Sequence, residues 1–226
     1  MKKYLLSTIA LSALLLTSCE KESEGLTRTT YYPVLNVVGG SVVMSIGDSY
    51  TEQGCTAILN GVDVTDKIKT TNNIDNTKPG VYSVNYLIVN EDGFAASASR
   101  NVYVTNGKNF DNLYLSECQY GSRHYYDLPI NIVDNGDGTY LIDDILGGFY
   151  ALGRYPGYPY DFYAEAVIQV NPDNSISLVS VGSWHFSQYE ISIVTGVYDP
   201  ATCTITLNLD FDGDPVYVQL VVPGIN

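Results

Sequence analysis

The densest chemistry in the sequence is aromatic. Phe149, Tyr150, Tyr155, Tyr158, Tyr160, Phe162 and Tyr163 fall within residues 149–163, and Pro156, Gly157 and Pro159 interrupt them. The Pro and Gly residues make part of this segment a loop rather than a strand. A Tyr-rich loop is costly to bury, because its backbone groups need partners. Tyr presents a flat apolar face and a polar tip, which suits a platform that stacks against the C–H faces of sugar rings. Tyr155, Tyr158 and Tyr160 would supply stacking faces, joined by Trp184 from a second cluster, Trp184-His185-Phe186. Asp161 and Arg154 would supply polar contacts, and the expected ligand is an oligosaccharide. Tyr125-Tyr126 forms a third cluster. A competing reading has the same rings cover the open end of a small barrel and fill its core. Arg154, likewise, could stack on an aromatic ring or pair with Asp144 or Asp161.

Other chemistries have less to stand on. His124 and His185 are the only histidines, and neither sits in a Ser/His/Asp pattern. Glycoside hydrolysis would need two facing carboxyls about 5–9.5 Å apart. Glu165 lies on a plain alternating strand, and Asp161 is the lone acid of the aromatic loop. The expectation is therefore a protein that does not catalyse. Asp210-x-Asp212-x-Asp214 has calcium-ligand spacing, but Pro215 stands where an EF-hand loop needs Gly. Those residues, like Asp134, Asp137 and Asp143-Asp144, read more simply as turns. No metal or other cofactor is expected. Beyond Cys19 the cysteines are Cys55, Cys118 and Cys203, without a C-x-x-C pair. Cys118 and Cys203 could form a disulfide, or Cys203 could be a buried free thiol on the apolar face of its strand. The net charge of −14, from 11 Lys+Arg against 25 Asp+Glu, repels phosphate backbones and argues against nucleic acid.

The N-terminus reads as an address. Lys2 and Lys3 precede an apolar run from Tyr4 to Leu16, too short to span a bilayer comfortably. Leu16-Thr17-Ser18-Cys19 resembles the bacterial lipobox. That resemblance implies cleavage before Cys19 and a diacylglycerol on its sulfur, hence membrane anchoring through Cys19. Glu20-Lys21-Glu22-Ser23-Glu24 looks like the acidic export signal that sends Bacteroidetes lipoproteins to the outer face of the outer membrane. It would serve as a solvated tether in any case.

The elements that must position these groups are strands. Tyr82, Val84, Tyr86 and Ile88 share one face of an alternating run. Cys203, Ile205, Leu207, Leu209 and Phe211 do the same, as do Val216, Val218, Leu220 and Val222, and, more weakly, Ala164, Ala166, Ile168 and Val170. Period-2 runs bounded by turn residues are strands with one buried face. Asp134-Asn135-Gly136-Asp137-Gly138, Asp212-Gly213, Pro79-Gly80 and Asn171-Pro172-Asp173-Asn174 supply the turns. The expected organisation is a signal peptide at 1–18, an acidic flexible tether at 19–30, and β-domains at 31–105 and 110–226.

Two resemblances refine this. Residues 31–105 carry Tyr32-Pro33, Gly47-Asp48-x-Tyr50-x-Glu52-x-Gly54, Gly61-x-Asp63-Val64-Thr65, Lys78-Pro79-Gly80-x-Tyr82-x-Val84-x-Tyr86, Asp92-Gly93 and Arg100-x-Val102-x-Val104. In these the segment resembles the Ig-like modules of Bacteroidetes surface lipoproteins, which implies a sandwich used as a spacer. Residues 110–226 carry Gly136-Asp137-Gly138-Thr139-Tyr140, Asp144-x-x-Gly147-Gly148-x-Tyr150-x-x-Gly153-Arg154, Tyr160-Asp161-Phe162 and Tyr198-Asp199-Pro200-Ala201-Thr202. They resemble the C-terminal domain of small Bacteroidetes lipoproteins that pair it with such a module. The resemblance implies an accessory role in glycan uptake beside outer-membrane transport proteins, and transfers no ligand residue. The expected fold is all-β: an Ig-like β-sandwich followed by a second antiparallel sandwich or partly closed β-barrel. A structural role, docking on another outer-membrane protein, is the alternative.

Replacing Cys19 by Ser should move the protein from the membrane fraction to the soluble fraction. Retention of the variant in the membrane fraction would defeat the lipobox reading.

Overall fold

The structure, a computed structural model, describes residues 29–225. The leader, Cys19 and the acidic tether through residue 28 lie outside the described residues. Within them, no helix is long and apolar enough to cross a membrane.

The first seven strands are β1 (Val34–Val37), β2 (Val42–Ser45), β3 (Cys55–Leu59), β4 (Val62–Asp63), β5 (Lys69–Asn72), β6 (Gly80–Val89) and β7 (Ala95–Thr105). They form two sheets, ordered β1-β3-β4 and β2-β7-β6-β5. β2 runs parallel to β7, and the other pairings are antiparallel. Val84, Tyr86, Val102 and Val104 bury their alternate positions against Met44 and Cys55. A polar network crosses this core. The Arg100 side chain is fully buried and donates to Tyr50 Oη at 3.1 Å, to Gly54 O at 3.1 Å and to Val38 O. Its Nη1 lies 3.4 Å from Glu52 Oε1, which also accepts the Tyr86 hydroxyl and the Gly54 amide, each at 2.6 Å. Burial pushes the Glu52 carboxyl up. The hydrogen bonds from Tyr86, Gly54 and Tyr50, together with the Arg100 charge, outweigh that and hold it below the usual carboxylate range.

The remaining strands are β8 (Leu113–Tyr120), β9 (Arg123–Asp134), β10 (Tyr140–Ile142), β11 (Ala166–Val170), β12 (Ile176–Val181), β13 (Ile191–Asp199), β14 (Thr204–Phe211) and β15 (Asp214–Val221). They make one antiparallel sheet in the order β12-β11-β10-β9-β8-β15-β14-β13. The sheet curls into a nearly closed barrel. Its end strands meet where Ser175 bridges Val197 and Tyr198 N donates to Asn174 O at 2.9 Å. Gly196 permits that approach, because a Cβ there would sit 3.0 Å from Ile176 Cβ. Of the two expected architectures for this half, the partly closed barrel is the one present. The expected hairpin at Asp212-Gly213 has φ of 54° and 91°, the left-handed pair that a two-residue turn requires.

The cysteines differ from expectation in one respect and resolve an open alternative in another. Cys203 is buried beside Ile205 and Leu207, but it occupies a left-handed turn (φ 52°) just before β14 rather than the strand itself. Cys55, Cys118 and Cys203 are all buried free thiols, so the Cys118–Cys203 disulfide does not form. Burial pushes the Cys118 thiol up to about 12, which keeps it inert at neutral pH.

The barrel has two distinguishable ends. At one end, Asn106 N donates to Asn112 Oδ1 (2.8 Å) and Asn112 Nδ2 donates to Gly107 O (2.9 Å), which folds the segment before β8 into a tight turn. There Gly224 lies so close to β2 that a Cβ on it would be 3.0 Å from Val43 Cγ1. The other end carries the Gly121 and Asp212-Gly213 turns.

Between β10 and β11 the chain crosses the interior at Gly147 and Gly148 (φ 68° and 78°). A Cβ on Gly147 would lie 2.4 Å from Ser116 Oγ and 2.8 Å from Val218 Cγ1. Gly147→Ala should therefore lower the unfolding free energy by roughly 2–6 kcal/mol, combining left-handed strain with overpacking. Gly136→Ala has the same backbone hand (φ 78°) but open space around it, and should cost only about 1 kcal/mol. Urea melts showing equal losses would contradict the close-approach argument.

Candidate functional site

The aromatic segment begins inside the barrel. Asp144 Oδ1 accepts the Leu146 amide at 2.9 Å, and Asp144 O accepts the Gly147 amide at 3.0 Å. The paired glycines then turn the chain into a single π-helical turn, Phe149–Arg154. Its widened hydrogen bonds run from Gly153 N to Gly148 O (3.0 Å) and from Tyr155 N to Tyr150 O (2.9 Å). Gly153 lets this turn lie on β9, since a Cβ there would meet the Tyr125 ring at 2.5 Å. Phe149 points inward against Tyr120, Tyr125 and Tyr150, with ring centroids 5.5, 5.2 and 5.1 Å away. The sequence reading expected an interrupted loop and missed this turn.

A second loop, between β12 and β13, meets the first. His185 N donates to Asp161 O at 2.8 Å. Phe186 packs against Tyr150 at 4.9 Å and Phe162 at 5.5 Å. Trp184 lies beneath them, 5.9 Å from both Tyr150 and Phe211.

A two-lobed cleft opens over this floor. One lobe, about 510 Å³, is lined by Tyr120, Arg123, Phe149, Tyr150, Arg154, Tyr155 and Asp214, among others. The other, about 390 Å³, is lined by Tyr120, Tyr150, Tyr155, Phe186, Tyr189, Phe211, Asp212 and Asp214. Tyr120, Tyr150, Tyr155 and Asp214 belong to both and form the shared wall. Tyr120 donates to Asp214 Oδ2 at 2.9 Å. Burial pushes the Tyr150 hydroxyl up to about 12, and burial together with the Asp214 bond raises Tyr120, so both remain neutral hydroxyls at physiological pH. A groove of similar size, about 500 Å³, crosses β5–β7 over Lys69, Thr71, Ser97 and Ser99, but only Tyr86 contributes a ring there.

The expected site residues divide among three places. Arg154 and Tyr155 line the cleft, and the Arg154 guanidinium lies 5.4 Å from the Tyr155 ring centroid. The stacking alternative for Arg154 is the one observed. Tyr158 and Tyr160 lie outside the cleft on an adjoining ridge, 61% and 60% exposed. Tyr155 stacks on Phe162 at 4.8 Å, while Tyr160 tilts over His185 at 4.9 Å. Trp184 corrects the expectation. It is 5% exposed and supports the floor, so its face is not free to stack on a ligand. Asp161 Oδ1 accepts the Tyr163 amide at 3.1 Å and so braces its own turn. The demoted acidic motifs behave as turns: Asp210 Oδ1 accepts Gly213 N, Asp134 Oδ1 accepts Gly136 N, and Asp137 Oδ1 accepts Thr139 N. Sequence reasoning assigned no role in the site to Tyr120, Tyr189, Arg123 or Asp214. Their signal was positional, since three of them flank the Gly121 and Asp212-Gly213 turns at one barrel end.

Asp144 is the one deeply buried acid beneath the site. It is 1% exposed, and its Oδ2 has no hydrogen-bond partner. Burial pushes its carboxyl up to about 8, and the Asp143 charge adds to the rise against the Leu146 amide. The folded chain thus binds a proton that the unfolded chain releases near pH 4. That contribution to stability is full below about pH 4 and is lost as pH rises towards 8. Asp144→Asn should flatten the fall in urea midpoint between pH 5 and pH 9. An unchanged slope would show that Asp144 titrates normally.

Comparison with known proteins agrees with this architecture. The profile of the bacterial surface protein Ig-like domain matches residues 39–104. A profile described as a C-terminal domain matches residues 102–222. The crystal structure of the lipoprotein BT2262 from Bacteroides thetaiotaomicron aligns with 84% of this chain and 100% of its own, at 26% identity and a TM-score of 0.55. Two Clostridium perfringens ZmpB structures align more loosely. One holds CBM51-2 in complex with GlcNAc and INT domains (13% identity, 84% of this chain, 43% of that one, TM-score 0.29). The other holds the M60 catalytic domain with CBM51-1 and CBM51-2 (12% identity, 87% and 22%, TM-score 0.30). Among curated proteins none matches. The profile over residues 102–222 spans more than half of the sequence, and the chain belongs to the family that this C-terminal domain defines, carried here behind a bacterial surface Ig-like domain.

Proposed function

We propose that this protein is a lipid-anchored surface protein that binds a glycan without catalysing its breakdown. The observation that carries the reading is the two-lobed cleft with Tyr120, Tyr150 and Tyr155 on its shared wall. Aromatic walls with a few converging polar groups are what sugar recognition needs: rings for C–H faces, and hydroxyls, carboxylates and guanidinium groups for the ring substituents. Arg154 and Tyr155 act here, with Tyr158 and Tyr160 extending the surface for a longer chain. Asp161 braces the loop that carries them. The similarity to a Bacteroides lipoprotein supports anchoring through Cys19. In this reading residues 1–18 are removed, residues 19–30 tether the protein to the outer face of the outer membrane, and the Ig-like half lifts the barrel towards its ligand. Partner transport proteins of a polysaccharide-uptake system would receive the glycan. Catalysis is not part of the proposal. The Asp214 carboxylate in the cleft is already engaged by the Tyr120 hydroxyl.

A second reading draws on one observation, the exposed Tyr158–Tyr160 ridge. Such a ridge could dock on another outer-membrane protein.

Affinity electrophoresis of residues 20–226, which retain both cores, against a polysaccharide panel separates the two. Tyr155→Ala should weaken retardation about tenfold, the loss of one stacking ring. Trp184→Ala should act through stability, lowering the melting temperature of the barrel. No retardation by any polysaccharide would reject the glycan reading and favour the protein-docking ridge.

A further inference from the structure

The charges of the barrel half are distributed unevenly. Beyond Lys108, Arg123 and Arg154 are the only Lys or Arg residues in a chain of net charge −14. They come from different elements, the start of β9 and the end of the π-helical turn, yet both line the same lobe of the cleft. Neither makes an ion pair, although carboxylates are abundant throughout this half. Among the described residues Arg100 pairs with Glu52, and the His124 ring lies 2.9 Å from Glu117 Oε1. Asp212 lies in the opposite lobe, and Asp214 stands on the wall that the two lobes share. The cleft is therefore bipolar in an otherwise acidic domain.

We propose that the cleft selects an anionic sugar, a hexuronate unit whose carboxylate is held by Arg123 and Arg154. This rests on the glycan-binding reading and names its ligand class. A guanidinium presents a planar fork of N–H donors that matches a carboxylate in two parallel hydrogen bonds. The Tyr155 ring, 5.4 Å from the Arg154 guanidinium, restrains that side chain near the cleft. Tyr150 and Tyr155 take the sugar face, and their hydroxyls lie at its edge. Asp212 accepts hydrogen bonds from sugar hydroxyls and repels a carboxylate, while the Tyr120 hydroxyl engages Asp214 on the shared wall, so the acid is directed towards the two arginines. The surrounding negative field opposes unspecific attachment of polyanions. Retention of a polyuronate therefore reports on the cleft and not on bulk charge.

The test uses affinity electrophoresis of residues 20–226 in gels containing polygalacturonate, the same polymer fully methyl-esterified, dextran sulfate, or the neutral polymers xylan and starch. Polygalacturonate should retard the protein, and esterification should abolish the effect. Arg123→Gln and Arg154→Gln should each weaken retardation about tenfold, and the double variant should migrate as in a gel without polymer. Both arginines are exposed, and circular dichroism of the variants checks that the fold is intact. Equal retardation by the ester, an unaffected double variant, or retardation by dextran sulfate alone would overturn the hexuronate assignment. Binding to neutral polymers but not to polygalacturonate would overturn it while leaving the glycan reading in place. No retardation in any gel would overturn both.

Discussion

Everything at the open end of the barrel depends on one contact that only glycine permits. At Gly147 the backbone passes between Ser116 and Val218 with no room for a Cβ. Gly148 then continues in the left-handed region. Together they turn the chain from the interior, where Asp144 and Leu146 are buried, into the π-helical turn. Without that crossing, Phe149 has no place against Tyr120 and Tyr125, and Tyr150 has no position on the cleft wall. The buried Asp144 carboxyl is part of the same device. Kept neutral, it accepts the Leu146 amide and helps to fix the entry into the glycine pair. Once ionised, it would be a buried charge with one oxygen unpartnered.

The aromatic residues divide between a foundation and a surface, and the division follows from two loops meeting. The backbone bond from His185 to Asp161 pins the β12–β13 loop to the Tyr-rich loop. That junction forces Trp184, Phe186 and Phe162 between the loops and pushes Tyr158 and Tyr160 outward. Each edge or stacked pair contributes about 0.5–1.5 kcal/mol beyond its area. A chain of such pairs can therefore hold a long loop whose backbone has few ladder bonds. The same ring system thus fills the barrel end below and lines a cleft above.

Strand faces were legible from the sequence because alternation has a period of two and the barrel buries one side. Ile205, Leu207 and Leu209 on β14, and Val216, Val218 and Leu220 on β15, all point inward as read. The Ig-like motif also had a physical content that spacing alone did not disclose. Tyr50, Glu52, Gly54 and Arg100 prove to be one hydrogen-bonded network. The π-helical turn was not legible, since six residues with bonds to the fifth residue back leave no periodic trace. Nor was the burial of Trp184, which depends on where a loop lands after the barrel closes. Tyr120, Arg123 and Asp214 converge because β8 pairs with both β9 and β15. That is a fact of topology, invisible to local spacing. Cys203 followed the alternation by one residue too many, since its left-handed backbone ends the strand.

Strand direction then fixes where the cleft faces. β8 leaves the Asn106–Asn112 turn at Leu113 and ends at Tyr120 in the cleft wall. β15 runs the other way, from Asp214 in the cleft to Val221, just before Gly224 contacts Val43 of the Ig-like half. The strands cannot bend back on themselves, so the junction and the cleft must occupy opposite ends of the barrel. β8 covers eight residues, a separation of about 23 Å at the usual rise per strand residue. The hydrogen bonds from Asn112 to Gly107 O and Asn109 O fix the turn from which β8 starts. The aromatic cleft therefore opens at the end of the barrel that faces away from the Ig-like half.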